Sequence, residues 1–318
     1  MRIQEFCFNR VEEFFAECGA QTDIALTQLS SGRLDFHSTQ VEIDGVRIEW
    51  NRVGARIRSR EVNRGPGLMF GWALQSPSEV KCFGHGMRAN DAVVWPLDDE
   101  LEYVGPTGVT SLIILVDQKL IDLLGWRVHR LLWRQVPMRH LNALQRVCRA
   151  ATEVARHGPW REASEPGAGA IEPSGAVWRD RILAALEPVL APWLREPGAS
   201  DTRVTRMGRD YQIVRAVDQL FSDQGPERKL TAEALAEILG VPRRTLFHAF
   251  RQSLGVGPLA YLKIVRLHQL RASLLAASAE RSSIMRLAMD LGFTHLGRLS
   301  ADYRKHFGEY PSDTLRRP

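Results

Sequence analysis

No run of about 18 apolar residues occurs anywhere in the chain, so nothing in it reads as a membrane span. The opening residues, Met1-Arg-Ile-Gln-Glu-Phe-Cys-Phe-Asn-Arg10, offer neither the apolar stretch nor the small-residue cleavage site of an export signal, and a cytoplasmic protein is expected. Cysteine is scarce and scattered. Cys7, Cys18, Cys82 and Cys148 never approach C-x-x-C spacing, which argues against a zinc site or disulfide framework and for buried, reduced thiols. Histidine is thin in the first 120 residues, where His37 and His85 stand alone and no His-x-His is followed by a nearby Glu. A facial metal triad cannot be written down, and neither metal nor cofactor is expected. Ser/His/Asp, Cys/His and Gly-rich phosphate patterns at diagnostic spacing are missing as well, so catalysis has no starting point.

What is present is enough chain for two globular units, since 318 residues exceed the size at which a single core usually splits. The hydrophobic share of 44% and charged share of 25% are ordinary for a soluble protein. Positive charge gathers at one end. From Arg206 to Pro318 there are 18 Lys and Arg against 11 Asp and Glu, while the whole chain stands at +5, which leaves the remainder slightly acidic. A basic C-terminal region is what contact with phosphates requires.

That region holds one pattern twice. In the first copy, Leu230 to Gly255, Thr231 is a candidate N-cap and Ala234, Leu235, Ile238 and Leu239 form an apolar stripe. Gly240 supplies the sharp turn, and Pro242 suits the first position of a second helix. On that helix Leu246, Ala249 and Phe250 face inward, while Arg244, Phe247, His248 and Arg251 share the other face at helical spacing. In the second copy, Ser282 to Gly308, Ser282 or Ser283 caps and Ile284, Leu287, Ala288 and Leu291 turn inward. Gly292 then turns the chain, and Leu299, Tyr303 and Phe307 anchor the next helix. Gly240 aligns with Gly292 at an offset of 52 and Gly255 with Gly308 at 53, the signature of a duplicated helix-turn-helix. Pro258–Ala276 is predicted as the helix that joins the copies, and Met207–Asp223 as a helix burying Ile213, Val214, Val217, Leu220 and Phe221 against the first.

Gly292-Phe293, Tyr303-Arg-Lys and Phe307-Gly-Glu-Tyr-Pro-Ser312, with a first helix-turn-helix about fifty residues upstream, resemble the AraC/XylS transcription regulators over roughly the last hundred residues. The run His295-Leu-Gly-Arg298, with Asp302-Tyr-Arg and Pro311-Ser-Asp-Thr-Leu-Arg316, departs from the usual pattern of that family and is similar to the subgroup containing the ethanolamine-utilisation regulator. The resemblance implies an N-terminal effector-binding unit shaped like a cupin. It also implies a small effector such as an ethanolamine-like amino alcohol or a cobalamin, a homodimer, and RNA polymerase as a partner on promoter DNA.

Ahead of that region the period changes. Val11–Cys18 reads as a short helix and the rest of residues 1–30 as a lead-in. Segments 34–41, 46–52, 55–61, 68–74, 80–83, 92–95, 101–104 and 110–116 then read as eight strands parted by Gly, Pro, Asn and Asp turns, suggesting a small jelly-roll barrel. Trp50, Phe70, Trp72, Phe83 and Trp95 alternate toward the presumed interior, and Trp50, Trp72 and Trp95 are the effector-pocket candidates. Arg56-Ile-Arg-Ser-Arg60 places three arginines on one strand face, either solvated or greeting an anion. Asp117 caps a helix over 118–124. Leu141, Leu144, Val147, Cys148, Ala151 and Val154 then form a stripe that serves either dimerisation, as the resemblance implies, or packing on the barrel.

The expected fold is therefore α+β, with a cupin-like β-barrel and helices over 1–195, a linker over 196–205 and an all-α unit with two helix-turn-helix motifs over 206–318. Residues 158–175 read as an exposed loop. Arg243, Arg244, Arg251, Arg304 and Lys305 are expected to neutralise phosphates, with Thr245 on the same helix; Arg244, His248 and Arg298 are candidates for base edges and Phe247 for a thymine methyl. The family's pattern carries over onto Arg244, Phe247 and His248, and onto Gly297 and Ala301, which lack side-chain donors and throw weight onto His295 and Arg298. The expected function is an effector-responsive, sequence-specific regulator of promoter DNA. The alternative is a cupin-type enzyme fused to a DNA-binding unit, and a purely architectural DNA-binding protein would have no need of the barrel.

Overall fold

The computed structural model describes residues 1–18, 22–63, 67–96, 100–127, 132–157, 174–194, 208–225, 230–277 and 283–317. The expected linker, 196–205, and nearly all of the expected loop, 158–173, lie outside them.

The N-terminal part is built from β1 (Arg2–Phe8), α1 (Val11–Cys18), β2 (Thr22–Gln28), β3 (Phe36–Ile43), β4 (Val46–Val53), β5 (Ile57–Asn63), β6 (Leu68–Gln75), β7 (Val80–Cys82), β8 (His85–Met87), β9 (Asp91–Trp95), β10 (Glu100–Gly105), β11 (Val109–Val116), α2 (Gln118–Leu124), β12 (Leu132–Gln135), α3 (Met138–His157) and α4 (Gly175–Leu194). One sheet runs β1-β3-β4-β11-β6-β9-β12 and the other β2-β5-β10-β7-β8, and neither closes on itself. The eight expected strands are present, joined by β1, β2, β8 and β12. All four additions lie at sheet edges, and β1 is largely exposed, so its sequence lacks the apolar run that marks a buried strand.

Each sheet has two differently used faces. Outward on the seven-stranded sheet, Val41, Ile43, Val46, Ile48, Phe70, Trp72, Leu112 and Ile114 pack under α3 and α4, meeting Leu141, Leu144, Ile182 and Leu186. Each such aliphatic side chain contributes about 1.5–3 kcal/mol when fully buried. The α3 stripe is thus occupied by its own sheet: Leu141, Leu144, Cys148 and Ala151 are wholly buried within the chain. Phe70 and Trp72 point to these helices and not between the sheets, and the Trp50 indole donates to Thr152 Oγ1 of α3 at 2.9 Å. Trp95 packs with Met69, Cys82, Phe83 and Trp133. Cys82 and Cys148 are buried free thiols as expected, whereas Cys7 is exposed because it lies on the edge strand β1.

The C-terminal helical domain contains α5 (Arg209–Gln224), α6 (Ala232–Ile238), α7 (Arg243–Leu254), α8 (Pro258–Leu275), α9 (Ile284–Asp290), α10 (Leu296–Phe307) and α11 (Pro311–Leu315). Two cores divide it. Val214, Val217, Leu235, Leu246, Phe250 and Leu262 form one, which Leu29 and Val104 of the five-stranded sheet complete. Leu267, Leu270, Leu274, Ala288, Leu299 and Tyr303 form the other. Helix α8 therefore lends its first half to one core and its second half to the other.

Candidate nucleic-acid interface

The first helix-turn-helix is set by local chemistry. Thr231 caps α6, its hydroxyl accepting from the Ala234 N–H at 3.1 Å, with Glu233 in the positive first turn. Gly240 takes φ +62°, a left-handed value that side chains resist, and the Val241 N–H donates back to the Ala236 C=O at 3.0 Å. Pro242 occupies the cap position of α7, one residue before the expected first helical position. The buried side of α6 is Ala232, Leu235 and Ala236, while Ile238 is 45% exposed, so the predicted stripe is rotated toward the helix start. Leu246, Ala249 and Phe250 of α7 are fully buried, as predicted.

The opposite side of α7 stands open. Arg243, Arg244, Phe247, His248, Arg251 and Gln252 line one shallow concavity, and Thr245 and Phe247 are half-buried at its base. Arg243 lies 5.4 Å from the Phe247 ring centroid and 3.1 Å from Glu233, and His248 Nε2 lies 3.6 Å from Asp210 at the start of α5. These contacts brace two side chains. Arg244 and Arg251 meet no ion-pair partner among the described residues. An exposed helix carrying three guanidiniums and an imidazole on one side matches the width and charge of a major groove.

The second unit repeats the scaffold. Ser283 caps α9, Gly292 turns at φ +77°, and Leu299 and Tyr303 are buried. On α10, Gly297, Arg298, Ser300, Ala301, Arg304 and Lys305 are exposed, with His295 at the cap position. Arg304 stacks on Tyr310 at 4.7 Å and donates to its hydroxyl. Gly297 and Ala301 bring no side-chain donor to this face.

Sequence reasoning missed how the two units attach to the sheets. The arginine face of β5 is covered by the C-terminal helices at Arg58, whereas Arg60 keeps 41% of its side chain exposed beside Glu100. Arg58, with only 4% of its side chain exposed, lies 2.6 Å from Glu102 and 2.6 Å from Asp218 of α5, and it donates to the hydroxyls of Tyr261 on α8 and Tyr211 on α5. Arg215 adds a second contact to Glu102 at 2.7 Å. The available signal was the complementary Glu-x-Glu of β10: Glu102 stands directly opposite Arg60 in the register, with Arg58 its diagonal neighbour, and Glu100 is diagonal to Arg60. Nearby, Gly84 adopts φ +81°, and a Cβ there would strike Tyr211 at 2.4 Å, so this turn admits the first turn of α5 only as glycine.

The second unit attaches elsewhere. Arg271 on α8, also 4% exposed, pairs with Glu12 of α1 and with Glu309 at 2.9 Å, and Arg317 joins both carboxylates. Burial works against a charged Glu12, but hydrogen bonding and charge from Arg271 outweigh it and hold the carboxyl below its usual range. His268 meets the Gln28 carbonyl at 3.2 Å and stacks edge-on with His306. Burial lowers both imidazoles to about 4, so they are neutral at physiological pH.

Comparison with known proteins agrees with this geometry. A family model described as a helix-turn-helix domain matches residues 235–317. The XylDLEGF operon transcriptional activator of Pseudomonas putida is 41% identical over 96 residues, which is 30% of this chain and 30% of that protein. The probable thc operon regulatory protein of Rhodococcus erythropolis is 32% identical over 135 residues, 42% of this chain and 38% of that one. The chain thus spans about a third of the length of the curated relatives it matches. The crystal structure of the AraC-like transcriptional activator CuxR aligns with 90% of this chain and 100% of its own at 14% identity and a TM-score of 0.43. The C-terminal part of the chain carries a helix-turn-helix domain and is similar there to transcriptional activators.

Proposed function

We propose that the chain is an effector-responsive, sequence-specific transcription activator that sets two recognition helices into successive major grooves of promoter DNA. The observation that carries this reading is the pair of exposed basic helices, α7 and α10, tied by α8. The 18 residues of α8 span about 27 Å, comparable with the roughly 34 Å between successive major grooves on one side of the duplex. In this reading Arg244 and His248 read base edges, Phe247 packs on a thymine methyl, and Arg243, Thr245, Arg251, Arg304 and Lys305 meet the backbone. His295 and Arg298 supply what polar readout the second unit has, and Gly297 and Ala301 allow its close approach.

The proposal divides the chain into a cupin-like effector unit over 1–195, a linker over 196–205 and a DNA-binding unit over 206–318. The chain acts in the cytoplasm as a homodimer that engages RNA polymerase. Because the α3 stripe is already buried, the dimer contact uses other surface. The resemblance of His295-Leu-Gly-Arg298 and Pro311–Arg316 to the ethanolamine-utilisation subgroup supports an amino alcohol, or a cobalamin, as effector. Trp50, Trp72 and Trp95 do not line the space between the sheets described below, which moves the effector site to other residues.

Selection of bound duplexes from a random library by the full chain tests the reading. The expected product is a pair of short elements about 10 bp apart. Recovery of unrelated sequences, or of one element alone, would count against it.

A further inference from the structure

The sequence pattern of β3 and β4 is inverted for a sandwich. Residues facing the helices are apolar, whereas those facing the opposite sheet read Phe36, Ser38, Gln40, Glu42 on β3 and Arg47, Glu49, Asn51 on β4. Polar side chains turned inward hold the sheets apart, and a cavity of about 360 Å³ lies between them, roofed by α1. That volume is within the range of small-molecule sites, about 300–1,000 Å³.

Its two ends differ. The register stacks Phe8 against Phe36, and Phe14 of α1 closes over Phe36 with ring centroids 5.2 Å apart, so one end is aromatic. One step along lie Ser38 and Asn51, then Glu49, with Glu61 of β5 contributed from the opposite sheet. Ser38 is only 3% exposed and its Oγ meets no hydrogen-bond partner; the buried Asn51 Oδ1 meets none either. Arg47 lies 2.9 Å from one oxygen of Glu49, which also takes a side-chain hydrogen bond from Asn51, and the Ser59 hydroxyl donates to one oxygen of Glu61. The remaining carboxylate oxygens and the two orphaned acceptors want donors. Burial, countered by Ser59 and reinforced by the charge of Glu49, pushes Glu61 up to about 7, so the two acids sense each other across the gap. Arg2 and Arg47 line the cavity too, with Arg47 already paired to Glu49, but between the two acids an anion would add to that repulsion and a cation would relieve it.

We infer that this cavity binds a small primary amine, its ammonium group held between Glu49 and Glu61 and its apolar body against Phe8, Phe14 and Phe36. An ammonium carries three donors and no acceptor, which answers two carboxylates and an orphaned amide oxygen without leaving a group unpaired. The inference rests on the effector-responsive reading above and names the effector's chemistry. It also supplies a route outward: Phe14 touches the cavity, and Glu12, on the same short helix, holds Arg271 of α8.

The test is titration calorimetry and thermal shift on the full chain with butylamine and 2-phenylethylamine, each against its matched alcohol and carboxylic acid. The amines should bind and raise the melting temperature, and the alcohols and acids should bind at least tenfold more weakly. Glu49→Gln and Glu61→Gln should each weaken amine binding at least tenfold with an unchanged circular dichroism spectrum. Should one variant fail to fold, the other decides together with Ser38→Leu, which fills the cavity. No amine binding, equal binding of the acids or alcohols, or wild-type affinity in the folded variants overturns the inference. Duplex binding by the unliganded wild type is measured in parallel; its absence would overturn the proposed function and leave the amine result standing.

Discussion

The two helix-turn-helix units follow the same chain path and turn at equivalent glycines, yet what they present and how they are held differ. At the offset of 53, Arg244 corresponds to Gly297 and His248 to Ala301, while Arg251 corresponds to Arg304. The position proposed to contact the DNA backbone keeps its charge, and the positions proposed to face the bases lose their polar side chains. Scaffold and readout are therefore separable, and repetition of a fold does not repeat a function. The attachments differ too. The first unit is fastened to the five-stranded sheet through Arg58, enclosed among Glu102, Asp218 and two tyrosines, and the second to α1 through Arg271, whose partners Glu12 and Glu309 are 26% and 16% exposed.

The enclosed attachment should be the more costly to break. Arg58→Ala leaves the fully buried Glu102 with Arg215 and the more distant Arg60 as its remaining partners, and is expected to lower stability by about 3 kcal/mol in urea unfolding of the full chain. Arg271→Ala leaves carboxylates that water can reach, and the loss should be smaller, about 2 kcal/mol. An equal or larger loss at Arg271 would reverse the ranking of the two junctions. On DNA the ranking follows the exposed faces. Arg244→Ala or His248→Ala should weaken the specific site by about 1–3 kcal/mol more than a random duplex, whereas Lys305→Ala should weaken both alike and reduce the salt slope by about one. A shared, uniform loss across all three in gel-shift titrations would remove the distinction between reading and anchoring.

The smallest effect concerns pH. His268 and His306 have folded pKa values of about 4, below the unfolded value near 6.5, so the unfolded chain binds more protons between these limits. The stability they allow is present above about pH 6.5 and is lost as pH falls toward 4, at up to about 1 kcal/mol per pH unit for each imidazole. His268→Gln should flatten that slope, and a slope unchanged by the substitution would place the acid sensitivity elsewhere. Glu61 acts in the opposite sense, its raised pKa favouring the folded state as pH falls below about 7, so the difference between wild type and variant is the quantity to compare.

The C-terminal domain was legible because its signals are local. Thr231, Gly240, Ser283 and Gly292 each do their work within four residues of themselves, and the cores they frame repeat at helical spacing. The residues proposed to meet DNA on the first unit share one face of α7, a placement that the same periodicity predicts. The sheets were half legible. Strands with β-branched alternation stood out, but β1 did not, since an edge strand needs no apolar run. Alternation also says which residues share a face and not what covers it: Phe70 and Trp72 turned toward helices distant in sequence, and the arginines of β5 turned toward α5 and α8. Long-range partners such as Arg58 with Asp218, or Glu12 with Arg271, leave no local trace.

The most direct measurement is helical phasing. A selected duplex carrying both elements, and the same duplex with five base pairs inserted between them, are titrated with the full chain. Two recognition helices held on one side of the DNA by α8 require that the insertion, about half a helical turn, abolish the contribution of one element, and that a ten-base-pair insertion restore it only in part, since α8 cannot lengthen. Affinity indifferent to the five-base-pair insertion would contradict simultaneous reading of two grooves by one chain.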